Sequence, residues 1–208
     1  MNLVHPIMAL AGLAALTACS GQSSQTLAQH TDVVLATERG EIVIRLDREA
    51  APQSSAAFLS WVEEGRYIAR TSGFYRIVSH ANDNGAPLIN IVQGGLIDVP
   101  ESVEGVVHES SEQTGLRNIA GSVALARGEI DTASPAYFFV NVTDNPGLDH
   151  GQLRNPDGQG FAVFGHVVEG MEIILAIHTT PASEQAEDAY MAGQMLADPV
   201  RFTASLRE

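Results

Sequence analysis

The feature that most constrains this chain is how its apolar residues are divided. They fall into short alternating runs separated by Gly, Pro, Asn and Asp. Val33–Glu38 and Glu41–Leu46 are two such runs, and Arg39-Gly40 between them predicts a β-hairpin. Phe74–Val78, Ile91–Gln93, Val123–Ala126, Tyr137–Val142 and Phe161–Val168 read as further strands, and Val200–Leu206 as a last alternating one. Helical spacing occurs twice. The first stretch opens at Pro52, places Ala56, Phe58, Leu59 and Val62 on one face, and stops at Gly65. The second is Met171–Ile177, preceded by Gly170. Many short strands with two helices predict a mainly β protein, closed or nearly closed into a barrel. Ser79–Asn90 and Ala182–Asp198 lie outside the pattern and read as insertions, the second acidic and with room for a helical turn.

Composition narrows the function. The chain has 208 residues, enough for one domain with some decoration, and 45% of them are hydrophobic. Its formal net charge is −14 and all 11 cations are Arg. An acidic chain without a basic cluster does not suit nucleic acid, which demands cations against phosphate. The lack of Lys removes Schiff-base chemistry and the P-loop lysine. A single Cys excludes an internal disulfide and a multi-cysteine metal site. His80, His108, His150 and His166 have no ligand spacing such as HExxH, and Gly94-Gly95 forms no dinucleotide fingerprint. No metal and no cofactor are expected. Asn141-Val142-Thr143 fits a glycosylation sequon but reads as strand.

At the N-terminus, Ile7–Ala18 is an apolar run too short to span a bilayer, and it ends at Cys19. Small residues before a sole cysteine resemble a bacterial lipoprotein signal. The resemblance implies a signal peptide at 1–18, lipidation of Cys19, a polar tether to residue 31, and a domain at 32–208. Ser20 after the cysteine favours the outer membrane, with the domain on the periplasmic side. Acyl chains contribute about 0.8 kcal/mol per buried methylene, so they hold a domain without a spanning helix.

Within the domain, several motifs follow in order. They are Phe74-Tyr75-Arg76-Ile77-Val78, Val92-Gln93-Gly94-Gly95, Ala120-Gly121-Ser122-Val123-Ala124-Leu125-Ala126, Tyr137-Phe138-Phe139-Val140-Asn141, Gly147-Leu148-Asp149-His150-Gly151 and Phe161-Ala162-Val163-Phe164-Gly165-His166. The ordered set resembles the cyclophilin-type peptidyl-prolyl cis-trans isomerases over about residues 33 to 207. That resemblance implies a closed eight-stranded antiparallel barrel capped by two helices. It also implies rotation of X–Pro bonds in proline-containing polypeptides, by a monomer. Arg76 matches the catalytic arginine and Gln93 the glutamine that bonds the substrate backbone. Phe139, Leu148 and Ile91 match walls of the proline pocket, and Ala126 lines the groove. Phe74, Tyr137 and Phe161 complete the expected substrate-binding set.

The sequence departs from the family pattern in places. Asn90 stands where a pocket phenylalanine is usual, so Ile89 or Leu88 must supply that wall. Tyr137 replaces a glutamine that supports the arginine, and serves only if its hydroxyl reaches Arg76. Gly147 replaces a bulky aromatic at the pocket rim. A barrel with this groove but without turnover would be a proline-peptide-binding chaperone or scaffold, which is the second reading.

Overall fold

A computed structural model describes residues 1, 31–97, 103–183 and 188–207. The expected signal peptide, Cys19 and the tether lie outside the described residues. Ten strands form one connected sheet system: β1 Thr31–Thr37, β2 Gly40–Leu46, β3 Ser72–Val78, β4 Ile91–Leu96, β5 Val106–Val107, β6 Ser122–Ala126, β7 Thr132–Asn141, β8 Ala162–Glu169, β9 Ala182–Ser183 and β10 Met195–Leu206. Eight of them close on themselves in the order β1-β2-β8-β6-β7-β4-β3-β10, with β10 pairing back onto β1. Every pairing is antiparallel. The two-residue strands β5 and β9 are side pairings on β7 and β10. Closure satisfies the ladder groups that an open edge would expose.

The hairpin read at Arg39-Gly40 joins β1 to β2, and Gly40 takes the positive φ of 123° that its turn demands. Two longer helices cap the barrel, α1 (Pro52–Glu63) and α3 (Met171–His178). A third helix, α2 (Ser111–Thr114), was not legible as a helix, because four residues show no period. Its signal is the capping box between Ser110 and Gln113, closed by Gly115 at φ 74°. α1 lacks a local cap. Instead the buried Glu109 carboxylate accepts from the backbone N–H of Gln53 and Ser54, at 3.1 and 2.6 Å. This satisfies two of the orphan donors at the helix start.

Six aromatic rings fill the barrel. Phe58, Tyr67, Phe74, Phe138, Phe164 and Phe202 are all at most 1% exposed, with neighbouring centroids 4.9 to 6.2 Å apart. The chain is poor in aromatics, and here they are concentrated where ring pairs add most to burial. Several strands run beyond their expected limits, β7 and β10 furthest. β7 begins at Thr132 and passes through Pro135. β10 begins at Met195, before the Asp198-Pro199 interruption, and its register on β3 shifts between Met195 and Val200.

Candidate active site

The site lies on the outer surface of β3, β4, β6 and β7. Along β3, Phe74 opposes Gly94 of β4, whereas Arg76 opposes Gln93. One residue is therefore extra on β3 between Phe74 and Arg76. A bulge of this kind re-aims side chains. It leaves Phe74 in the core against Phe138 and Phe202 and turns Tyr75 and Arg76 outward. Phe74 is thus not a substrate contact as expected. The bulge separates the side of the sheet that Phe74 faces from the side that Arg76 faces.

Arg76 is held from two sides. Its Nη1 donates to Gln93 Oε1 at 3.0 Å. Its Nε and Nη2 both donate to Gln194 Oε1, at 2.9 and 2.6 Å. Gln194 is fully buried, and its own amide donates to the Asn82 carbonyl at 2.8 Å. Asn82 in turn donates to the Gly193 carbonyl at 2.8 Å, so the two insertions lock onto each other beside Arg76. Tyr137, which the sequence left open as a support for the guanidinium, lines an adjoining recess. Burial lowers the Arg76 pKa from its usual value, opposed by the nearby hydroxyls of Tyr190 and Tyr75. The group stays a cation at any working pH. Gln93 also donates from Nε2 to the Tyr75 hydroxyl at 3.1 Å, which fixes its amide orientation.

Beside Arg76 lies an apolar cluster of Val78, Ile89, Ile91, Ala124, Phe139, Leu148 and Val163, with Phe161 packed on it. Ile89, Ile91, Phe139, Leu148 and Phe161 form the apolar side of a cavity of about 190 Å³, and Arg76, Gln93, Arg127, Arg154 and Asn155 its polar side, with Ala126 and Tyr190. The Phe139 and Phe161 rings meet edge-on at 5.3 Å and 84°. Ile89 supplies the wall that Asn90 does not. It is 4% exposed, while Leu88 is 49% exposed. Asn90 turns away: its side chain donates to Thr143, and its backbone pairs with the Asn145 side chain in both directions. Asn145 continues into a buried polar chain through Asn141 and Asn118 to the Leu148 carbonyl. This chain fixes Leu148 on its 3₁₀ turn and keeps Asn141, the residue of the sequon, inside the strand.

Three residues at the site carried no recognisable signal in the sequence: Gln194, Tyr190 and Arg154. The Tyr190 ring sits between two guanidinium groups, 5.5 Å from the Arg76 Cζ and 5.9 Å from that of Arg154. Arg154 donates to the Tyr190 hydroxyl at 2.7 Å and to both Asp83 oxygens at 2.8 and 2.7 Å. Burial alone would raise the Asp83 pKa. Arg154 and the N–H groups of Gly85 and Ile89 outweigh it and hold the carboxyl below its usual value. Gly147, the missing aromatic, leaves room for Pro87 of the first insertion: a Cβ there would stand 2.3 Å from the Pro87 Cγ. The Ala86-Pro87 peptide is cis.

Comparison with known proteins decides the family. The family model described as cyclophilin type peptidyl-prolyl cis-trans isomerase matches residues 32–195. The chain belongs to this family. Among curated relatives it is 33% identical over 169 residues to peptidyl-prolyl cis-trans isomerase A of Dickeya dadantii, covering 80% of each chain. It is 34% identical over 147 residues to an isomerase of Streptomyces antibioticus, covering 70% of this chain and 81% of that one. A crystal structure of a cyclophilin type isomerase from Cryptosporidium parvum superposes with a TM-score of 0.60 at 15% identity. That match covers 86% of this chain and 98% of the other, and it supports the barrel fold. Within this cyclophilin barrel, segments 79–90 and 182–198 build much of the surroundings of Arg76.

Proposed function

We propose that this cyclophilin rotates X–Pro bonds in proline-containing polypeptides of the bacterial envelope, as a lipid-anchored monomer. The observation that carries the catalytic part is Arg76 fixed by Gln194 and Gln93 at the edge of a pocket of about 190 Å³ with an apolar wall of Ile89, Ile91, Phe139, Leu148 and Phe161. An X–Pro bond favours trans by only about 0.5–1 kcal/mol. Its rotation barrier is about 18–20 kcal/mol, because the nitrogen lone pair is shared with the carbonyl. A guanidinium N–H aimed at the prolyl nitrogen stabilises that lone pair as the bond twists. Ile89, Ile91, Phe139, Leu148 and Phe161 hold the ring while the carbonyl side turns. Gln93 offers its carbonyl and amide to the substrate backbone. Each 1.36 kcal/mol of preferential transition-state binding is tenfold in rate. No covalent step and no cofactor enter this reaction.

The anchor and the placement rest on the apolar run Ile7–Ala18 ending at Cys19, with Ser20 favouring the outer membrane and a periplasmic domain. Among the described residues no helix is long and apolar enough to cross a membrane. Cys19→Ser is expected to release the protein from membranes.

A second reading keeps the barrel as a proline-peptide-binding chaperone or scaffold without turnover. It is favoured by Tyr190, which lies over Arg76 and narrows access to the pocket. Catalysed cis/trans exchange of an X–Pro peptide panel, with Arg76→Ala beside it, separates the two. Acceleration that collapses in the variant supports the isomerase. Binding without acceleration supports the second reading.

A further inference from the structure

Arg76 and Gln93 line two cavities. One is the proline pocket of about 190 Å³. The other is a recess of about 520 Å³ whose walls include Tyr137, Ile97, Met191, Met195, Ala197 and Pro199. The last four come from the second insertion and the strand it leads into. The 3₁₀ turn Ala189–Met191 overhangs both: Tyr190 lines the proline pocket, and its neighbour Met191 lines the recess. A polypeptide laid across Arg76 with its proline seated therefore passes beside the recess within a few residues.

We propose that the recess is a second substrate subsite, which takes a large apolar side chain, aliphatic or aromatic, close in sequence to the proline. This rests on the reading of Arg76 and its pocket as the proline site. The occupant follows from continuity with that pocket and from the lining chemistry. Two methionines give an unbranched, adaptable wall. Two tyrosines, two leucines, an isoleucine, a proline ring and an alanine add to it, Gln93 and Arg76 are its other polar groups, and no carboxylate lines it among the described residues. Arg76 is the one cation of the wall, and its guanidinium is engaged by Gln194 and Gln93. Such a surface rewards apolar area removed from water and leaves a substrate carboxylate poorly solvated. The recess thereby sets which prolines in a client are turned over.

The test uses the full chain in detergent micelles and Ala-Pro peptides. Phe, Leu, Ala or Asp is placed in turn at each of three positions on either side of the Ala-Pro pair. Exchange is read by NMR as kcat/KM. At one position Phe or Leu should exceed Asp by about tenfold or more. Ala197→Arg, at an exposed rim position, and separately Met191→Asp, should cut that ratio to about threefold or less. Ratios within twofold at every position would overturn the proposal. So would a preference for Asp, or a preference that both substitutions leave unmoved. If no peptide is turned over, the isomerase reading fails instead. Dissociation constants for the same panel then decide: the same order upholds the recess, and a flat series overturns it.

Discussion

The Gln194 Oε1 stands 2.6 Å from Nη2 and 2.9 Å from Nε of Arg76, although the residues are 118 positions apart. One buried amide oxygen thus sets the plane of the guanidinium. Gln194→Ala is expected to lower kcat on the order of a hundredfold, the scale of a misplacement of about 1 Å, with KM nearly unchanged. Gln194→Glu keeps the acceptor for Arg76 but sets its other oxygen against the Asn82 carbonyl, so it should recover only part of the loss. Steady-state kinetics of both variants check this. A rise in KM with kcat intact would contradict a positioning role.

The Gly147–Pro87 contact makes a reciprocal prediction. Gly147 has an ordinary φ, so only space opposes a side chain there. Gly147→Ala should destabilise by about 1–3 kcal/mol through overpacking. It should also raise KM by shifting the loop that carries Ile89. Adding Pro87→Ala should restore part of both, which denaturant titration and peptide binding will show.

Asp83 and Arg154 form a bidentate pair with side chains 0% and 3% exposed. Removing the carboxylate with Asp83→Ala leaves a buried cation unpaired and should cost about 3–5 kcal/mol. Replacing both, as Asp83→Leu with Arg154→Met, should cost much less. Urea unfolding of the two variants side by side measures the difference. Equal losses would mean that the pair does not work as a unit.

Acid costs stability through His108 before it reaches the carboxyl of Asp83. Burial is the main cause of the lowered His108 pKa, the Gln159 carbonyl opposes it, and the His108 Nδ1 has no hydrogen-bond partner among the described residues. The unfolded chain therefore binds this proton more readily than the folded one. Stability is complete above the ordinary histidine pKa of 6.5 and falls as pH drops through it toward the lower folded value. The Asp83 carboxyl stays charged to below its ordinary 3.8, so the latch on Ile89 outlasts this first loss. Denaturant midpoints from pH 8 to 4, with His108→Gln expected to flatten the upper part of the curve, provide the check.

Much of the barrel was legible because each strand announces itself locally. Arg39-Gly40 marks a hairpin, and apolar alternation marks β2, β6 and the end of β10. Arg76, Gln93, Ala126 and Phe139 come together as their motifs implied. Phe74 does not, because a bulge is one residue long and leaves no compositional trace. Gln194 and Tyr190 were illegible for another reason. The insertions have no period, and their roles depend on contacts such as Asn82 to Gly193, which cross more than half the chain. Ile89 was one of two open alternatives for the missing wall. Sequence could not separate it from Leu88, since which of two adjacent apolar residues turns inward is set by Asp83 accepting from the Ile89 N–H.

The late position of Gln194 has a consequence for timing. A chain is made and handed on from its N-terminus, and its early segments wait for the later ones. β3 and Arg76 exist long before the strand that closes the barrel and brings in the residue that aims them. Until then the guanidinium has Gln93 alone, on an open sheet. A nascent molecule therefore carries every residue of the pocket wall but no oriented cation. The orientation of Arg76 waits for the segment that carries Gln194 and for β10, which closes the barrel.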